Sequence, residues 1–293
     1  MIQSQFAAPM PSYVKSMIVT KVSHGFTLTG IFDGDNLGYG IKESLTGEKK
    51  YEGHFNSKGN LEGYGTLTYK NGCTMVGMFI NGECVSGTYT FPSGGKDIGT
   101  RKKNRLDGPD CIRIRPNGHT QIGLFENDEF VSGVEESGPR ENGVLHGESC
   151  ARVSAEGVKK TGRFENGQLR EGVETHPNGN VWQGHWNSQG QFHGEGNVTW
   201  GGDFHAIDEW GTYENGRLVN GTVRLKNGQV DIGPRLNGAL HGVNCIRIFA
   251  DTTTFFGEFK DDEFVSGTGI QIATDGNRYA GVMKGCKLEG MTQ

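Results

Sequence analysis

The sequence lacks the long apolar segments that a membrane protein or a thick globular core requires. Only 33% of its 293 residues are hydrophobic, whereas about 45–50% is usual for a soluble domain when glycine is counted. No apolar run approaches the roughly 18 residues needed to cross a bilayer. Residues 1–24 also lack the basic start and unbroken apolar stretch of a signal peptide. The sequence therefore predicts a soluble cytoplasmic protein with a thin or extended core.

Strong charge of one sign and clustered metal ligands are missing as well. The chain has 29 basic and 34 acidic residues, a net charge of −5, so it lacks the basic footprint typical of nucleic-acid binders. Its six cysteines are widely spaced, with no Cys-x-x-Cys pair, which excludes the usual zinc-ribbon and disulfide patterns. No hydrolase elbow or phosphate loop is present. We expect no enzyme activity, no cofactor, no metal and no nucleic-acid partner.

Glycine is the residue in excess, at 49 of 293 residues, or about 17%, against roughly 7% on average. The motif Gly-x-[Phe/Trp] and its degenerate forms recur twelve times, at steps that are mostly 22–24 residues. Such a period is the signature of a repeat architecture. The motif glycines are Gly30, Gly53, Gly77, Gly99, Gly123, Gly138, Gly162, Gly184, Gly211, Gly233, Gly257 and Gly281.

Each unit is predicted to form a β-hairpin. In residues 51–72, Tyr51, Gly53 and Phe55 alternate with other residues and so share one face of a strand. Asn-Gly pairs such as Asn81 and Asn166 suit tight hairpin turns. We expect the strand glycines to make room for the aromatic rings of neighbouring strands. Glycine at this density is incompatible with helices of useful length.

A longer duplication overlies the short repeat, because Asp-Ile-Gly at Asp97 recurs at Asp231, 134 residues later. The sequence thus predicts an N-terminal arm or cap at residues 1–20, a first array at 21–137 and a second array at 138–293. Three of the cysteines and five of the histidines fall at repeat-equivalent positions, which favours structural roles for them. Cys111, Cys150 and Cys245 are aligned with Thr66 and Asn197 of other units.

The pattern resembles the membrane occupation and recognition nexus (MORN) repeat, whose signature is aromatic-x-Gly-x-aromatic, then Gly-x-Gly, an aromatic and a turn glycine. Residues 51–72 match it throughout, and the resemblance covers roughly residues 25–290. It implies an all-β fold, an elongated single-layer antiparallel β-meander solenoid of about twelve MORN-type hairpin units. The resemblance also implies settings in cytoskeletal or ciliary structures, membrane junctions and large assemblies.

Three units depart from the signature, because Arg101, Arg140 and Arg235 replace the second ring. Each follows an acidic residue by four positions. One interpretation is structural, with the arginines stacked on rings and paired with acids across strands. A direct pair is not expected, since four strand residues span about 13 Å. The alternative is a row that binds carboxylates or phosphates of a partner or a lipid.

Two further segments are candidate interaction sites. Lys102, Lys103 and Arg105 surround a predicted hairpin tip and could contact anionic lipid, or simply be solvated. The longest repeat step contains residues 203–208, with acidic and imidazole groups. This segment is interpreted as a docking loop in preference to a catalytic one.

The function predicted from these features is that of a non-catalytic scaffold, which presents an extended repeat surface to other proteins of a larger assembly. Peripheral binding to anionic phospholipid membranes is the alternative. Open sheet ends predict association between copies of the chain. We expect a cytoplasmic location, associated with the cytoskeleton or with a membrane.

Overall fold

The computed structural model describes residues 19–272, 278–285 and 287–288, and within these ranges the chain forms strands and turns but no helix. The chain divides into two compact units, Met1–Glu135 and Glu136–Gln293. The predicted arm at residues 1–20 lies outside the described residues except for Val19 and Thr20, which begin the first strand. Asp275 and Gly276, a further pair of the kind that suits a tight hairpin turn, also lie outside them.

Unit 1 is an antiparallel meander in which strands adjacent in sequence pair with each other. Strand β8 pairs first with β10 and, at its end, with the short β9. The strands are β1 (Val19–Ser23), β2 (Phe26–Asp33), β3 (Asn36–Ser44), β4 (Lys49–Phe55), β5 (Leu61–Tyr69), β6 (Thr74–Ile80), β7 (Glu83–Thr90), β8 (Lys96–Lys102), β9 (Arg105–Leu106), β10 (Gly108–Ile114), β11 (Thr120–Glu126) and β12 (Glu129–Ser137), whose last two residues belong to unit 2.

Unit 2 has the same organisation, and β22 pairs with both the short β23 and β24. The all-β antiparallel meander predicted from the repeat is thereby confirmed within each unit. The strands are β13 (Arg140–Glu141), β14 (Val144–Leu145), β15 (Gly147–Val153), β16 (Lys159–Glu165), β17 (Gln168–Thr175), β18 (Val181–Trp186), β19 (Phe192–Thr199), β20 (Ala206–Glu214), β21 (Arg217–Leu225), β22 (Val230–Leu236), β23 (Ala239–Leu240), β24 (Gly242–Ile248), β25 (Thr254–Lys260), β26 (Glu263–Ile272), β27 (Arg278–Lys284) and β28 (Lys287–Leu288).

The hairpin turns at Asn81, Asn166 and Asn215 follow the predicted chemistry. At the β6–β7 turn, Asn81 and Gly82 have φ angles of 50° and 85°, the paired positive values of a type I′ turn. Asparagine tolerates the left-handed region better than most residues, and glycine has no Cβ to clash. The Asn-Gly pairs thus fix where the hairpins reverse.

The core lies on one face of each meander. Along β6 the side chains alternate between the two faces, so that Met75 and Phe79 are 2% and 1% exposed whereas Met78 is 45% exposed. The buried face of unit 1 gathers Leu61, Leu67 and several rings into one cluster. Unit 2 contains comparable clusters. The period of two predicted from the sequence is what separates these faces.

The strand glycines form cross-strand rows, but their main role differs from the predicted one. A Cβ added at Gly40 would lie 2.7 Å from the Gly30 Cα and closer still to the Thr29 carbonyl oxygen. The obstacle is therefore the backbone of the neighbouring strand. Gly196 does adjoin an aromatic ring, since its Cβ would collide with Phe192. Ring accommodation as the general reason for the glycines is wrong.

Three cysteines occupy places in the glycine rows. Cys111 pairs with Gly123, as Gly65 pairs with Gly53 elsewhere, so the alignment of these cysteines with Thr66 and Asn197 was wrong by one residue. The cause is a bulge before Cys111, where Asp110 has a φ of 58°. Equivalent bulges precede Cys150 and Cys245.

Candidate functional site

Buried acid–arginine clusters replace the aromatic rings in the three degenerate units. In the first, which we call the Asp97 cluster, Arg113 donates from Nε to Oδ1 and from Nη2 to Oδ2 of Asp97, both at 2.8 Å. The Asp97 side chain is 4% exposed. Arg113 Nη1 also donates to the Asp128 carbonyl oxygen in the next hairpin turn, at 2.7 Å. Hydrogen bonding to Asp97, partly opposed by burial, raises the pKa of Arg113.

The same arrangement recurs twice in unit 2, in a Glu136 cluster and an Asp231 cluster. Arg152 binds Glu136, with Nε 2.7 Å and Nη2 2.6 Å from Oε1. Arg247 clamps Asp231 with two bonds of 2.7 and 2.8 Å. In all three clusters the clamping arginine follows the acid by 16 residues and lies over a phenylalanine ring. The rings are Phe125, Phe164 and Phe259, and all three are buried.

Arg140 contacts its acid directly, which corrects the sequence-based expectation. Its Nη2 lies 2.8 Å from Glu136 Oε2, although the two residues are only four positions apart. The chain does not stay extended between them, because β12 ends at Ser137 and β13 begins at Arg140. Gly138 lies in this break with a φ of 121°. The distance of about 13 Å applies only to a continuous strand.

Arg101 and Arg235 are held by backbone oxygens within their own clusters. Arg101 donates from Nη2 to the Asp97 carbonyl oxygen at 3.2 Å and from Nη1 to that of Asn104 at 3.1 Å. It also lies over the Tyr89 ring, as the structural interpretation predicted. Arg235 Nη1 donates to Gly238 at 2.9 Å, and its side chain is 6% exposed. Binding of partner anions by this row stays a prediction.

The predicted basic tip is exposed. Lys102, Lys103 and Arg105 lie on the hairpin that joins β8 to β9, and all three are exposed. Within the described ranges, none of them takes part in an ion pair or a side-chain hydrogen bond. Arg101 steadies the backbone of this tip through its bond to Asn104. The tip therefore presents three uncommitted cations on an ordered turn.

An uncharged row of side chains crosses seven strands of unit 2 on the face opposite the buried rings. We call it the apolar row. Its three largest exposed members are Trp210, Phe256 and Val282, at 46%, 46% and 55% exposure. At about 4.8 Å per strand, the row extends roughly 29 Å. Its members are Trp210, Thr222, Ile232, Ile246, Phe256, Thr268 and Val282.

The histidines at repeat-equivalent positions hold hairpin turns. His193 Nδ1 lies 3.5 Å from the backbone nitrogen of Asn215 in the next turn, and Glu62 accepts the equivalent bond from Asn81 at 2.8 Å. An acidic residue and an imidazole thus serve the same structural purpose. In the part of the chain that is described, no group of three histidine, cysteine, aspartate or glutamate residues could hold a metal ion.

The 203–208 segment contains a turn followed by the start of β20. The Phe204 ring packs against Trp200 with centroids 4.9 Å apart. Asp208 pairs with Arg224 on the neighbouring strand, so its carboxylate is engaged in a structural ion pair. Across residues 19–272, 278–285 and 287–288, no helix is long and apolar enough to cross a bilayer.

No protein-family model and no curated protein matches this sequence. Among solved structures, the G-box domain of the microcephaly protein CPAP is 13% identical, covering 83% of this chain and 97% of that chain with a TM-score of 0.26. The SAS-4 (dCPAP) TCP domain of Drosophila melanogaster, solved with a proline-rich motif of Ana2, is 11% identical. That match covers 88% and 99% of the two chains, with a TM-score of 0.19. TM-scores this low do not indicate a common fold.

The clamping arginines, Arg113, Arg152 and Arg247, were not among the residues singled out in the sequence. Their signal was the constant 16-residue spacing from the acid in each degenerate unit. Glu209 was missed for a related reason. It occupies the first ring position of the unit at Gly211, where Tyr51 and Trp182 stand in well-formed units. Polar residues at the first ring position therefore mark the polar parts of the buried face, as do polar residues at the second ring position.

Proposed function

We propose that this chain is a non-catalytic MORN-type repeat protein that binds other proteins within a larger cytoplasmic assembly. The apolar row is the observation that supports this proposal. It places an indole, a phenyl ring and aliphatic side chains along one sheet face, three of them about half exposed, without a charged residue between them. Exposed apolar patches of this kind mark surfaces that protein partners bury.

The acid–arginine clusters support a non-catalytic role. Both oxygens of Asp97 and of Asp231 accept hydrogen bonds from the clamping arginines. A carboxylate saturated in this way is a poor general base, because a proton must compete with a bidentate cation. The role of the acid–arginine clusters is to hold the backbone of neighbouring hairpins in place.

The experiment compares capture of partners from the native source by the wild-type chain and by a Phe256→Ser/Val282→Ser variant. Both side chains are about half exposed, so the variant is expected to keep the wild-type circular dichroism spectrum. We expect the captured partners, quantified by mass spectrometry, to fall at least about 10-fold, because the removed surface anchors the interface.

Ile122→Ser provides the matched control, because Ile122 is a comparably exposed strand residue of unit 1, outside the apolar row. It should capture the same partners as the wild-type chain. Equal capture by the double variant and the control would overturn the proposed role of the apolar row.

The basic tip supports membrane binding as a second proposed function. Three uncommitted cations contribute about 1 kcal/mol each near an anionic surface, and this attraction weakens with added salt. We expect salt-sensitive co-sedimentation with phosphoinositide-containing vesicles, lost in a Lys102→Ala/Lys103→Ala/Arg105→Ala variant. If the variant and wild-type chains sediment alike, the tip has no such function.

A further inference from the structure

Unit 2 contains a polar cavity of about 450 Å³ on the face that carries the buried rings. Leu218 and Arg235 line it together with Glu209. Arg217 and Asn237 belong to the hairpin tips that flank it. The cavity thus brings two guanidinium groups and one carboxyl group together between two ordered turns.

The repeat pattern explains why a cavity exists here. Glu209 takes the first ring position of its unit and Arg235 takes the second ring position of the next unit. In well-formed units the corresponding positions hold Tyr51 and Trp186, which pack in the apolar clusters. Two ionisable side chains therefore stand where rings would otherwise fill the space.

Arg235 has a buried edge without a partner. Its Nη1 donates to Gly238, but its Nε and Nη2 are buried and make no hydrogen bond. Nη2 lies 3.9 Å from Asp231 Oδ2, beyond hydrogen-bond distance. Asp231 is already bound by Arg247 and by Gln229. Buried polar groups are nearly always hydrogen-bonded, so an unpartnered pair of donors calls for an explanation.

The other clusters show what this edge binds. Arg113 uses the same two nitrogens, Nε and Nη2, to clamp the Asp97 carboxylate. At the position equivalent to Arg235, Arg140 donates from Nη2 to Glu136, whose side chain is longer than that of Asp231. Of the three clusters described, only the Asp231 cluster has an arginine at this position whose Nε and Nη2 both lack a hydrogen-bond partner. The free edge of Arg235 has the planar geometry that pairs with a carboxylate.

Glu209 restricts the kind of anion that fits. It forms no ion pair within 4.0 Å among the described residues. Burial raises its pKa, while Arg235 and a hydrogen bond with Tyr213 oppose that rise. Because Glu209 is itself acidic, a ligand with one negative charge is favoured over a phosphate dianion. An N–H group next to the ligand carboxylate would give the Glu209 oxygens a second donor besides Tyr213.

We propose that this cavity binds a carboxylate that has an N–H donor beside it, the chemistry of a peptide C-terminus or a free amino acid. Arg235 and Arg217 supply the cationic partners, and Glu209 accepts from the N–H group. For this, the guanidinium of Arg235 must turn so that its buried Nε and Nη2 reach the cavity. The site is independent of the apolar row, which lies on the opposite face.

The test is a titration of the full chain followed through backbone amide NMR signals. The probes are Ala-Ala-Ala with a free C-terminus, the same peptide with an amidated C-terminus, and free L-alanine. We expect saturable shifts at Gly216, Asn237 and Gly238 with the free carboxylate and none with the amide. Tighter binding of the tripeptide would assign the ligand as a peptide terminus, and equal binding of L-alanine would assign it as an amino acid.

Arg217→Gln provides the decisive variant, because Arg217 is exposed and its replacement leaves the buried cluster intact. It should weaken binding about 10-fold or more, the usual consequence of losing a charge-assisted hydrogen bond. Arg163→Gln, a partly exposed arginine elsewhere in unit 2, is the control and should bind like the wild-type chain. Absence of saturable shifts, equal binding of the amidated peptide, or equal affinity of the two variants would overturn the proposal.

Discussion

Replacement of Gly40 by alanine tests whether adjacent strands really approach at the glycine rows. The added Cβ would lie 2.7 Å from the Gly30 Cα, and the φ of Gly40, 153°, is rarely adopted by other residues. To relieve the clash, β2 and β3 must separate locally. We expect loss of about two ladder hydrogen bonds at roughly 1 kcal/mol each, and backbone strain of about 1–2 kcal/mol. The expected loss of stability is thus about 3–4 kcal/mol.

Gly38 offers a control in the same strand, at the bulge where β3 shifts its register against β2. Its φ lies outside the left-handed region, and the nearest atom to an added Cβ is the Ile31 carbonyl oxygen at 3.5 Å, an ordinary contact. Gly38→Ala should change stability by less than about 1 kcal/mol, and in the stabilising direction, because alanine restricts the unfolded chain.

Urea denaturation followed by far-ultraviolet circular dichroism measures both variants. Unit 1 contains no tryptophan, so indole fluorescence reports on unit 2 and helps to assign the transition that moves. Gly40→Ala should shift the midpoint of the unit 1 transition to lower urea, whereas Gly38→Ala should not. Similar free energies of unfolding for the two variants would refute the close backbone approach.

Two other substitutions test the charged groups of the buried face. Asp97→Asn should lower the free energy of unfolding by about 3 kcal/mol, because it removes the buried, bidentate partner of Arg113 and leaves only the longer contact with Asp128 at 3.6 Å. The exposed control Glu148→Gln should cost less than about 0.5 kcal/mol, and equal losses would contradict a buried clamp. Burial raises the pKa of Glu209 above its ordinary value of 4.5, so the folded state binds this proton more tightly and stability falls as pH rises through that window. Glu209→Gln should therefore stabilise the chain at pH 7 relative to wild type but not at pH 4, and thermal unfolding at both pH values checks the sign.

The strands and turns were predictable because their determinants are local. Alternation in residues 51–55 assigned Tyr51 and Phe55 to one face, and Asn-Gly pairs such as Asn81-Gly82 specified type I′ turns. The resemblance to the MORN repeat predicted how the hairpin units follow one another in a meander. Membership of that family stays a proposal. These signals act over a few residues and do not depend on the neighbouring strands.

The arginine clusters were only partly predictable. The sequence singled out Arg101, Arg140 and Arg235 because they break the aromatic pattern, but not the arginines that clamp the acids. Cross-strand pairs depend on register, and the bulge at Asp110 shifts that register by a residue. Spacing along the chain could not show which donor would reach which carboxylate.

The sequence by itself determined the hairpins, their turns and the face that each ring occupies, because backbone dihedral preferences and the two-residue strand period are properties of short segments. Only the tertiary structure decided how the polar substitutions are satisfied. Glu136 is long enough to bind both Arg140 and Arg152, whereas Asp231 is saturated by Arg247 and Gln229 and leaves Arg235 with an unfilled edge. The one methylene group by which glutamate exceeds aspartate decides which arginines the acid can bind, because hydrogen bonds require distances near 3 Å between atoms on different strands.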